Sequence, residues 1–177
     1  MRQKKIYEMN LICLFHSIEK SKGGAMINES AKELWENFNL QIPNLPSHYE
    51  LLSFGDNEST ANEAAALVLE GLKTARTTLL SEYEDNDRPV PQKGDYSIIL
   101  DGNQQAIGVV QTLKVSIMPF DEVTDEIAYE EGEGDRTLTN WRKVYQPYFQ
   151  HQCENKNQLF STTMEIVCEQ FELVYAA

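Results

Sequence analysis

The stretch Ser53–Leu80, SFGDNESTANEAAALVLEGLKTARTTLL, decides how the rest of the chain is arranged. It opens on a glycine-aspartate turn, Gly55-Asp56, and runs into a helix with its own start and stop signals. Thr60 and Glu63 have capping-box spacing, in which the hydroxyl takes the N3 amide and the carboxylate reaches back to the cap amide. Ala64, Leu67 and Val68 share one face at helical spacing. Gly71 stands where a left-handed C-cap belongs. The helix is therefore expected to end before Lys73, and Thr74–Leu80, loosely alternating with three β-branched residues, reads as a strand. A cation just past a helix end, at the mouth of a strand, is placed to line a pocket.

Toward the N-terminus, Tyr49–Phe54 reads as a short extended piece. Asn39–His48 carries Pro43 and Pro46 and breaks any helix. Ser30–Phe38 is expected to be helical, with Ser30 and Glu33 as a second capping box and Leu34, Trp35 and Phe38 as its apolar stripe. Residues 1–25 differ in composition from the rest of the chain. Their apolar run, LICLF, is short for a signal peptide and no small-residue cleavage pattern comes after it. We read them as an N-terminal extension with Met26 as the expected start, since Lys22-Gly23-Gly24 is what a purine-rich ribosome-binding site would encode if translated. An ordinary disordered or loosely helical extension is the other reading. Residues 26–177 are expected to form a single domain.

Toward the C-terminus, Ser81–Asp87 suits a helical turn, closed off by Pro89 and Pro91. Lys93-Gly94-Asp95 turns into a strand over Tyr96–Leu100. Asp101-Gly102-Asn103 is a hairpin signal, and Gln105–Met118 is a long second arm in which Gly108 marks a bulge or a close backbone approach. Asp121–Glu131 is acidic and expected to be helical. The loop EEGEGDRTLTNW comes next, with Thr137 as a cap. Leu138, Trp141, Val144, Tyr145 and Tyr148 then recur at helical spacing, and Pro147 predicts an end or kink near Gln146. Met164–Tyr175 alternates as a last strand. Short strands with helices inserted between them predict an α+β fold arranged as a small barrel.

The charge balance narrows the partners. Fifteen Lys and Arg stand against 28 Asp and Glu, a net charge of −13. Most of the surface would repel a phosphate backbone, which argues against binding along duplex DNA while leaving room for a local pocket. No apolar run has the length of a membrane span. Cys13, Cys153 and Cys168 are odd in number and widely spaced, and none of His16, His48 and His151 stands at ligand spacing from a cysteine. No disulfide framework, metal site or cofactor motif is expected, and a reduced, cytoplasmic setting is the natural reading.

Several segments together resemble the ASCH domain. They are FGD at Phe54–Asp56, GLKTA at Gly71–Ala75, KGDYSIILDG at Lys93–Gly102, PFDEV at Pro119–Val123, EGEGDRTLTNWRKVY at Glu131–Tyr145 and CEQFELVY at Cys168–Tyr175. Their order and spacing cover about residues 30 to 175. The resemblance implies a PUA-like mixed β-barrel with flanking helices, and a cleft beside the barrel that binds RNA or a nucleoside. Some small bacterial members hydrolyse the acetyl amide of acetylcytidine with a lysine, a threonine three positions later and a glutamate from the loop before the second helix. On this chain the lysine falls on Lys73 and the threonine on Arg76, and the glutamate falls on Gly134, next to Glu133.

The candidate residues come from both readings. For proton transfer they are Lys73 and Glu133, with Thr74 or Thr77 replacing the missing hydroxyl. Lys73 could act as a base only if burial or a neighbouring cation such as Arg76 lowered its pKa. For ligand binding they are Lys73, Arg76, Asp135, Arg136 and Trp141, with Lys73 and Arg76 forming a cationic hollow opposite an acidic glycine loop. Each has a plainer role: Lys73 as a surface cation paired with Glu133 or Asp135, Asp135 as a helix cap, Trp141 as core. Because Arg76 cannot serve as a nucleophile, binding of RNA or a nucleoside ranks above an amidohydrolase, and a protein-interaction adaptor is the third alternative.

Overall fold

The computed structural model describes residues 28–42, 44–46, 48–55 and 57–177. The expectations for residues 1–25, for Met26 as the start, for Pro43 and for Asp56 lie outside these.

Asn28 caps α1 (Glu29–Asn39), its side chain accepting the amide of Ala31 at 3.0 Å. The cap thus lies two residues before the expected Ser30. Ser30 donates instead to Asn28 Oδ1 and accepts the Ala106 amide, tying α1 to the sheet. Likewise α2 (Glu58–Leu69) starts a turn before the predicted Thr60. Asn57 is the extended cap residue, and Thr60 is the N3 partner whose hydroxyl reaches back to it. In both helices the asparagine upstream takes the cap; Thr60 becomes the far end of a reciprocal capping box, while Ser30 falls at the second helical position. At the other end of α2, Gly71 adopts φ 69°. The Leu72 amide bonds the carbonyl of Leu67 and the Gly71 amide that of Val68, the pair of bonds that defines a Schellman stop.

Among the described residues five strands form one sheet: β1 (Glu50–Ser53), β2 (Ala75–Leu79), β3 (Tyr96–Leu100), β4 (Ala106–Pro119) and β5 (Glu165–Ala176). Their order is β1-β3-β4-β5-β2, with β1 and β3 parallel and the other pairs antiparallel. The sheet curls into a half-barrel. Register shifts at Ile99/Leu100, Val109/Val110 and Thr112/Lys114 bend the long β4 arm. Gly108 sits beside the first of them, where a Cβ would meet Leu173 and the Tyr175 carbonyl.

Both faces of the sheet are buried, as the alternation within β3 requires. Ile98 and Leu100 join Val109 under Ala31, Leu34 and Phe38 of α1. Ile99 lies on the opposite face with Leu52, Val110 and Phe171, covered by Ala64, Ala65 and Val68 of α2. A third cluster fills the far end. There a 3-10 turn, α4 (Asp125–Glu130) and α5 (Leu138–Asn155) surround Leu79, Ile166 and Cys168, and α3 (Leu80–Asp85) directly follows β2. Pro147 does not end α5, which runs on to Asn155. The carbonyl that proline leaves unbonded belongs to Lys143, and both residues are on the exposed side of the helix, so water can take it.

Candidate functional site

The Schellman stop delivers the chain to Lys73, whose amide also bonds the Leu67 carbonyl at 3.0 Å. The segment after α4 then comes against it. Thr74 donates its amide to the Glu130 carbonyl at 2.7 Å, and Gly132 passes so close that a Cβ there would lie 2.5 Å from the Leu72 carbonyl oxygen. Gly132 also has φ 80°. Glycine is required on both counts, and its presence lets the residues on either side turn inward onto the lysine.

Lys73 is 1% exposed. Its ammonium donates to Glu131 Oε2 at 2.6 Å, to Glu133 Oε1 at 2.8 Å and to the Glu131 carbonyl at 3.2 Å, and it lies 5.1 Å from the centre of the Phe54 ring. Glu131 is held from two further sides, by the Thr77 hydroxyl at 2.6 Å and the Tyr145 hydroxyl at 2.9 Å. Burial raises the pKa of the Glu131 carboxyl; the Lys73 charge opposes the shift and Glu133 adds to it. Burial likewise pushes the neighbouring Cys168 thiol up to about 12, with Glu131 reinforcing the shift, so it stays an inert core group.

A small cleft opens over this cluster, lined by Ala128, Glu131, Glu133, Asn140, Trp141, Val144 and Tyr145. Two polar atoms there have no hydrogen-bond partner among the described residues: Glu133 Oε2 and Trp141 Nε1. The Trp141 ring is core, stacked on Tyr145 at 4.8 Å and tilted against Phe120 at 5.0 Å.

Arg76 belongs to a different place. Three positions along and on the strand proper, it turns to the other face, where Nε donates to Glu169 Oε2 and a terminal nitrogen lies 3.8 Å from Glu50 Oε2. Thr112 donates to the other Glu169 oxygen at 2.5 Å. Burial would lower the pKa of this guanidinium, but Glu169, with smaller contributions from Tyr83 and Glu50, more than reverses that and the net shift is upward. Glu50 and Arg76 stand on the two edge strands, β1 and β2, so this ion pair spans the seam of the half-barrel. A second, larger cavity of about 70 Å3 adjoins it, bounded by His48, Tyr96, Ser97, Glu169 and three prolines, Pro46, Pro89 and Pro91, among others.

The expected cationic hollow is therefore corrected. Lys73 and Arg76 are both buried, and each is bound by its own carboxylates. The cleft over Lys73 is lined by carboxylates and aromatic rings. Lys73 does pair with Glu133, as its plainer role anticipated, but at the centre of the protein rather than on its surface. Thr77 gives its hydroxyl hydrogen to Glu131, and Thr74 gives its own to the Glu130 carbonyl at 3.4 Å. Asp135 accepts from the Thr137 amide and hydroxyl, which holds it below the usual carboxylate range and helps to start α5. Arg136 packs its guanidinium 3.6 Å from the centre of the Tyr129 ring and donates to the carbonyls of Tyr129 and Leu72. It pins the glycine loop to the residue before Lys73.

A family model for the ASCH domain matches residues 50–175. The chain belongs to the ASCH-domain family. Its fold agrees with that of the ASCH domain from Lactobacillus crispatus, at a TM-score of 0.78 and 25% identity, over 86% of this chain and 98% of that one. A crystallised protein from Enterococcus faecalis matches at a TM-score of 0.77 and 30% identity, covering 85% of this chain and 91% of its own. No curated protein matches. The half-barrel is thus the PUA-like fold of ASCH domains. Among the described residues, no helix is long and apolar enough to cross a membrane and no cluster of His, Cys, Asp or Glu could hold a metal ion.

Sequence reading overlooked Glu131, Tyr145 and Glu169 as site-forming residues. Tyr145 carried a usable signal, being a hydroxyl-bearing ring in an otherwise apolar helical stripe. Glu169 carried one too, as a carboxylate among the apolar residues of a last strand.

Proposed function

We propose that this ASCH domain binds a nucleoside, free or as an unstacked residue of single-stranded RNA, in the cleft over Lys73, Glu131 and Glu133. One observation carries the reading: Lys73 holds Glu133 by a single oxygen, its other oxygen is buried with no hydrogen-bond partner among the described residues, and Glu133 lines a cleft rimmed by aromatic rings. Single-strand recognition works by extruding a base and hydrogen-bonding its edge. A buried lysine with two glutamates contributes little net stability, because desolvation offsets much of the attraction. Such clusters in clefts are candidate sites for that reason.

Equilibrium binding of nucleosides and of a short single-stranded RNA, at low and at physiological salt, tests this. Binding to the native protein that is lost in Lys73→Ala supports it, and no binding of either ligand removes it. The salt dependence should be shallow. Each phosphate neutralised on a single strand contributes a slope of about −0.7, and the cations of this site are already occupied by carboxylates.

A second reading is favoured by the raised Glu131 carboxyl beside the Lys73 ammonium, two groups between which a proton can move. It makes the protein a hydrolase of an acylated nucleoside amide, with Lys73 and Glu133 as the proton-transfer groups. Turnover of acetylcytidine by native protein, abolished in Lys73→Ala, would favour it. No turnover in the native protein would remove it for that substrate.

A further inference from the structure

The cavity beside the Arg76–Glu169 pair is built from the sheet outward. Ser97 stands two residues before Ile99 and Glu169 two before Phe171, so both side chains share the face that carries the apolar cluster under α2. They form a polar layer next to that cluster. Ser97 is 4% exposed, and with Glu169 and the buried Pro91 it makes the floor of the cavity. Glu50, Asp95 and Tyr96 are half-buried walls, and Pro46, His48 and Pro89 stand exposed at the mouth.

Two features of this layer point to a ligand. The Ser97 hydroxyl makes no hydrogen bond among the described residues, although a buried hydroxyl ordinarily has a partner. The second feature is charge. Arg76 lies between Glu169 and Glu50, and Arg88 bonds Glu50. Asp95 accepts the Gln92 amide at 2.8 Å and has no cation within ion-pair distance among the described residues. Three carboxylates therefore stand against two guanidiniums, an excess of one negative charge. The cavity, about 70 Å3, is several times the roughly 10–15 Å3 that a single water needs. An anion entering it would meet the carboxylates, whereas an ammonium brings the missing charge and three donors.

We propose that this cavity binds a protonated primary amine on a short aliphatic stem, the ammonium donating to Ser97 Oγ and to the Glu50 carboxylate. Glu50 and Ser97 are register partners on β1 and β3, so their side chains rise side by side from strands about 4.8 Å apart, within reach of one tetrahedral ammonium. Asp95 supplies the remaining charge at the wall. The prolines and the Tyr96 ring offer uncharged surface to the methylenes of the stem. The site lies apart from the cleft over Lys73 and does not depend on what that cleft binds.

Titration of 15N-labelled full-length protein with n-butylammonium chloride, at neutral pH and fixed ionic strength, tests this. Saturable shifts are expected at the amides of Asp95, Tyr96, Ser97 and Glu169. The uncharged n-butanol, of the same shape, should bind about 10-fold weaker or worse, the loss of charge-assisted hydrogen bonds. Ser97→Val keeps the net charge of −13 and fills the floor with a β-branched side chain that suits a strand. It should abolish the saturable shifts while leaving the general attraction of an acidic surface for cations unchanged. If Ser97→Val does not fold, Ser97→Ala removes the hydroxyl alone and should weaken butylammonium about 10-fold. Asp95→Asn should weaken it about 3-fold, as expected for a partly exposed charge. Shifts that never saturate and spread over the acidic surface overturn the proposal. So do n-butanol binding as well as the amine, and a folded Ser97 variant that binds the amine like native protein.

Discussion

Lys73 is the residue around which the candidate site is built, and its environment makes its removal costly. Replacing it with Met leaves Glu131 and Glu133 facing one another without a counter-charge, both nearly out of water. Breaking a buried pair in this way costs about 3–5 kcal/mol, so urea unfolding of Lys73→Met at neutral pH should show a loss of that order. Glu131 adds a pH dependence whose sign is set by its raised native pKa. A carboxyl that holds its proton more tightly when folded contributes stability below its ordinary value near 4.5, and that contribution declines as pH rises through the native value. Urea midpoints of native protein and of Glu131→Gln, followed upward from pH 4.5, should therefore differ in slope. The variant should show the smaller decline.

Among the elements, α5 and the loop that leads to it carry the clearest expectations. Thr137 caps α5 by accepting the Asn140 amide at 3.1 Å, and Asp135 holds Thr137 in turn. Thr137→Ala should lower stability by about 1 kcal/mol, read as a fall in the denaturation midpoint. Pro147 lies on the solvent side of the same helix, and a proline interior to a helix is about 3 kcal/mol less favourable than alanine. Pro147→Ala should therefore raise the midpoint, by less than that full amount because the helix has already adapted to the proline. The cores under α1 and α2 were legible in the sequence because their apolar residues alternate or recur at fixed spacing. The helix starts lie two and three residues earlier than expected because Asn28 and Asn57, upstream of Ser30 and Thr60, take the caps. Local spacing alone cannot rank such competitors.

At the scale of the whole molecule, the half-barrel has two edge strands, and Arg76 reaches across between them to Glu50 while pairing with the buried Glu169. Arg76→Ala removes this tie and strands Glu169 at 1% exposure. The expected loss is again about 3–5 kcal/mol. Because Arg76 faces away from the Lys73 cleft, nucleoside affinity measured well below the melting temperature should change little. A loss of affinity as large as that in Lys73→Ala, with the fold intact, would mean that the two clusters act as one site.

What the sequence determined by itself is the run of elements, the α+β class and the stop after α2 that delivers the chain to Lys73. All of these depend on residues within a turn or two of one another in the chain. The tertiary structure decided the rest. It turned Arg76 away from Lys73, set Glu131, Tyr145 and Thr77 around the ammonium, and left one oxygen of Glu133 and one nitrogen of Trp141 buried with no hydrogen-bond partner among the described residues. Glu131, Glu133 and Glu169 stand 58 to 93 positions along the chain from the cations they bond. Only the curl of the sheet and the passage of Gly132 against Leu72 bring them together, so whether a charge is free or neutralised is a property of the fold.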